Sequence, residues 1–125
     1  MSIQENRCIF FGLPALREAM QAVMPELAPS IVPRGAVVRS VVVLTDPLMA
    51  RIRVMPRAAA DATEAEVTAA QLGALLIRRC KSLGIPVPRA GIKGLQGDPA
   101  GIALVIGLEH KAKGHSQLSV HRLSA

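Results

Sequence analysis

Between Ala36 and Leu44 the chain reads Ala-Val-Val-Arg-Ser-Val-Val-Val-Leu, a run dense in β-branched side chains. Such residues have few χ1 rotamers and pack well on a pleated surface, so the run favours a strand over a helix. Thr45-Asp46-Pro47 supplies turn chemistry, and Met49 to Met55 then alternates Ile52 and Val54 with Arg51 and Arg53. Two such strands joined by a short turn predict a β-hairpin. One face of that hairpin must be covered by the rest of the fold.

The flanking segments supply the cover. Cys8 to Phe11 is a short apolar run closed by Gly12-Leu13-Pro14. Leu16, Met20, Val23, Met24 and Leu27 then recur at spacings of three and four, which predicts a helix from Pro14 to about Leu27, with Pro25 ending it early. Thr63 and Glu66 match a capping box and predict a second helix from near Glu64. Its apolar stripe is Ala65, Ala69, Leu72, Leu76, Cys80 and Leu83, and Gly84 and Pro86 stop it. Pro86, Pro88, Gly91, Gly94, Gly97 and Pro99 make residues 85–100 a long connection. Ile102 to Ile106 is a continuous apolar run that suits a central strand buried on both faces.

Residues 1–125 therefore read as a single α+β domain, with 110–125 an edge strand or a mobile tail. The order is β-α-β-β-α-β, that of the ferredoxin-like split β-α-β arrangement. It predicts one antiparallel sheet with two helices on one face. The alternative is α-β-β-α-β, with Cys8 to Phe11 merely packing on the core.

Composition narrows the function. Half of the residues (50%) are hydrophobic and 19% are charged, which argues against disorder. In so small a domain some of that apolar surface stays uncovered, and a homo-oligomer, most simply a dimer, would cover it. The net charge of +6, from 15 Lys and Arg against 9 Asp and Glu, makes nucleic acid a second candidate partner. With no Trp or Tyr and only Phe10 and Phe11, a base-stacking platform is excluded. Cys8 and Cys80 do not form a disulfide framework and fit a reducing cytoplasm. Glu5 and Arg7 ahead of Cys8 to Phe11 do not resemble a secretory leader, and no run reaches the ~18 apolar residues of a membrane span.

The candidate contacts lie on the hairpin. If its turn is centred on Pro47, Arg39, Val41 and Val43 share an outward face with Arg51 and Arg53, while Val38, Val42 and Leu44 meet the helices. Arg34 and Arg57 flank that face. A half-apolar, arginine-rich sheet face suits a protein partner or a phosphate backbone. Arg78, Arg79 and Lys81, with Asp61, Glu64 and Glu66 at the other end, are instead assigned to the second helix's dipole. Gly91-Ile92-Lys93-Gly94 is a faint match to the GXXG phosphate clamp of KH domains, with Gly91, Lys93 and Gly94 as its contacts. His110, His115 and His121 do not have common zinc spacing, and neither cysteine has a nucleophile's setting. The chain thus reads as a non-enzymatic interaction module that self-associates through its sheet, or alternatively as a backbone-reading nucleic-acid binder, with no cofactor or metal.

Overall fold

A computed structural model describes residues 3–57, 61–109 and 121–122. Its elements are β1 (Gln4–Gly12), α1 (Leu13–Leu27), β2 (Val37–Leu44), β3 (Met49–Met55), β4 (Thr63–Thr68), α2 (Ala69–Ser82), β5 (Ile92–Asp98), β6 (Gly101–Glu109) and β7 (His121–Arg122). The protein is α+β. Its strands form two antiparallel ladders, β1-β6-β5-β7 and β2-β3-β4, where the sequence predicts a single sheet.

One core runs across both ladders. α1 contributes Leu16, Met20 and Met24, and α2 contributes Leu72, Leu75 and Leu76. Against them lie Val38, Ile52 and Val54 from one ladder and Leu95, Ile102, Leu104 and Ile106 from the other. Each large aliphatic side chain buried in this way stabilises the fold by about 1.5–3 kcal/mol. The ladders meet at Gly97, where a Cβ would collide with Leu48 and come within 3.3 Å of Val43 Cγ1. Glycine at that point lets β5 approach the hairpin closely.

Several boundaries differ from the sequence expectation. β1 runs the full length from Gln4 to Gly12, because it pairs residue for residue with β6. α1 continues through Pro25, and the Ala28 amide still donates to the Met24 carbonyl at 2.7 Å. Proline removes only its own amide bond, and this one lies in the last turn. The segment at Thr63 is a third strand rather than the start of a helix, since Ala65 and Val67 alternate inward while Glu64 and Glu66 point outward. The capping box that operates is Thr68 with Gln71: the Gln71 amide donates to Thr68 Oγ1, and the Thr68 amide donates to Gln71 Oε1. Leu83, placed on the stripe by its spacing, is exposed beyond the end of α2. Residues 92–98, expected in a connection, are strand β5, which turns into β6 where the Ala100 amide donates to Asp98 Oδ1 at 2.7 Å. β6 is central as expected, and Gly101 to Gly107 are buried throughout. Of the C-terminal segment, His110 and His115 lie outside the described residues. β7 pairs with β5 at Gly94 and Leu95.

Gln21 of α1 fixes where β2 begins. Its Nε2 donates to the Ala36 carbonyl and its Oε1 accepts from the Val38 amide, each at 2.8 Å. A helix side chain thereby takes the place of a strand on that edge of β2.

Candidate interaction face

The outward face of β2-β3-β4 is built by register. The turn pairs Leu44 with Met49, so its centre falls between Asp46 and Pro47, half a residue before the expected position. Since side chains alternate with period two, that offset exchanges the faces of β2. Val42, not Val43, lies opposite Arg51. Val42 is 52% exposed, whereas Val41 and Val43 are buried at 8% and 6% and face the core. The expectation that Val41 and Val43 form the outer surface is therefore corrected. Further along, a bulge at Arg39 inserts one residue between Val38 and Ser40. This returns Val38 to the inside, opposite Val54, and leaves Arg39 exposed.

Arg51 and Arg53 do point outward, and β4 places an acid beside each of them. Arg51 is paired with Glu66 and Arg53 with Glu64 across the ladder. The Arg51 guanidinium lies 3.5 Å from the Glu66 carboxylate. Because both groups are about half exposed, such a pair stabilises by only about 0.2–1 kcal/mol. Its larger effect is to cancel charge. The face carries a basic row and an acidic row side by side, with Val42 and the exposed Val37 on the β2 flank. Arg57 lies beyond the end of β3 with its side chain over Gly35, and Arg34 precedes that glycine.

Sequence reasoning missed the acidic row because it assigned Glu64 and Glu66 to a helix N-terminus. The first turn of α2 holds no acid. The alternation of Ala65 and Val67 with those glutamates was the available signal. Arg79 and Lys81 do lie in the last turn of α2, where they complement its dipole. With Arg78 they line one side of a groove of about 310 Å³ against Ala22, Val23 and Glu26 of α1.

The GXXG reading is also corrected. Gly91 precedes β5, while Lys93 and Gly94 belong to it and pair with Ile106 and Val105. Their backbone runs in a ladder, whereas the KH clamp is a loop. Lys93 Nζ donates to the Arg89 carbonyl at 3.2 Å.

Of the two free cysteines, Cys8 is exposed on β1 and Cys80 is buried on α2. Burial pushes the Cys80 thiol above its ordinary pKa, and the nearby charge of Arg7 draws it partly back. That is the reverse of what a nucleophile needs. Among the described residues no three His, Cys, Asp or Glu side chains gather as a metal site, and no helix is long and apolar enough to cross a membrane. No family model, curated protein or solved structure matches the chain.

Proposed function

We propose that this chain is a non-enzymatic protein-interaction module that self-associates through the outer face of β2-β3-β4. The observation that carries the reading is Val37 and Val42 standing exposed on a face where Arg51 and Arg53 lie beside glutamates. A protein surface can cover the valines and exchange ion pairs with both rows. A phosphate backbone would meet Glu64 and Glu66 as well as the arginines, which weighs against the nucleic-acid alternative. In the same reading the two ladders elaborate a split β-α-β arrangement, with β1 beside β6, and the free thiols suit the cytoplasm.

The test is solution mass against concentration for the wild type and for the Val37→Lys, Val42→Lys double variant. Both positions are exposed, so the fold tolerates the change. The wild type is expected to exceed one chain at high micromolar concentration. The variant should associate about tenfold or more weakly, given the apolar area it withdraws. Identical profiles for the two proteins overturn the reading.

A further inference from the structure

The ladders end in strand edges of different character. On β2, Gln21 occupies the backbone at Ala36 and Val38, and the Arg39 bulge breaks the line. On β4, the registers that overlap most of the strand set glutamate against glutamate when two copies pair antiparallel. Like charges placed opposite one another guard an edge against its own copy. Among the described residues, β7 covers Gly94 and Leu95 of β5.

The edge of β1 has neither protection. Across Gln4–Gly12 it pairs only with β6 among the described residues, and it carries opposite charges, Glu5 and Arg7, on either side of Asn6. A twofold axis at a sheet edge pairs residues of equal parity, because both copies must present the same face. Centring on Arg7 would oppose two guanidinium groups. Centring on Cys8 would set Glu5 against the position of the buried Phe11. Centring on Asn6 sets Glu5 opposite the partner's Arg7, twice by symmetry. It also brings Ile3, 58% exposed, opposite the partner's Ile9. Arg7 donates through one nitrogen to the Pro86 carbonyl at 3.3 Å, and its guanidinium keeps further donors for a carboxylate.

We propose that β1 pairs antiparallel with β1 of a second copy in the register centred on Asn6, joining two β1-β6-β5-β7 ladders into one continuous sheet. This contact is separate from the β2-β3-β4 face, so one copy can use both.

The test uses the full chain in the Val37→Lys, Val42→Lys background, which removes the face contact and separates the two proposals. Glu5→Arg and Arg7→Glu should each weaken dimerisation about tenfold by opposing like charges. The double exchange, Glu5→Arg with Arg7→Glu, should restore it. Arg7→Glu also removes the bond to Pro86, so a second arm reads the register directly. Asn6→Cys with Cys8→Ser should be captured as a covalent dimer by a short bismaleimide, faster than Cys8 in the otherwise unchanged chain. A monomer at high micromolar concentration overturns the proposal, as does crosslinking that favours Cys8. Charge exchange without recovery in a folded variant overturns it too.

Discussion

Cys80 shows how one side chain's surroundings set its chemistry. It lies in the core stripe of α2, and the folded protein holds its proton more tightly than the unfolded chain does. Its contribution to stability is therefore complete below the ordinary thiol pKa and is lost as pH rises through the raised folded value. Urea titrations across alkaline pH should show that loss in the wild type and a flatter profile in Cys80→Ala. In the native protein iodoacetamide should modify Cys8 well before Cys80, and denaturation should make the two rates equal. Equal native rates would show that the α2 stripe is open to solvent. The sequence reads both cysteines as core residues, because each sits in an apolar stretch, and Cys8 is exposed instead.

At the scale of elements, the start of α2 separates two readings of similar motifs. Thr63 with Glu66 and Thr68 with Gln71 both have a cap's spacing, and only the second pair makes the reciprocal bonds. Thr68→Ala should cost about 1 kcal/mol in chemical unfolding. Thr63→Ala should cost less, because its hydroxyl reaches only the Val54 carbonyl, at 3.5 Å. The reverse order would place the helix start at the earlier pair. The hairpin, both helices and β6 were legible because each has a sustained period or an unbroken apolar run. β4 was hidden by a charge pattern that also suits a helix N-terminus. β5 was hidden by glycines, which read as turns, although Gly97 serves here as a point of close approach to Leu48 and Val43. The faces of β2 were misassigned over half a residue of turn geometry, a quantity that composition does not encode. The candidate face kept Arg39, Arg51 and Arg53 and exchanged Val41 and Val43 for Val37 and Val42.

For the molecule as a whole, part of the net charge of +6 is already matched among the described residues. Arg51 and Arg53 lie beside acids, Arg79 and Lys81 serve a helix terminus, and Arg7 is held by a carbonyl. Replacing Arg51 and Arg53 together by alanine should therefore leave retention on immobilised random-sequence duplex DNA unchanged. Retention that weakens steeply with salt, and disappears in Arg51→Ala with Arg53→Ala, would reverse that conclusion. The pairing of β1 with β6 has a further bearing, on the order of assembly. Gln4 meets Glu109, so the ladder joins distant parts of the chain, while β2-β3-β4 closes through neighbours. Contacts so remote in sequence form slowly, because a long loop must close before they are gained. During translation β1 emerges before β6 and waits for it. In that interval Cys8-Ile9-Phe10-Phe11 is a bare adhesive strip, and a nascent chain is most exposed to misassembly, or to capture by a chaperone, until its late partner arrives.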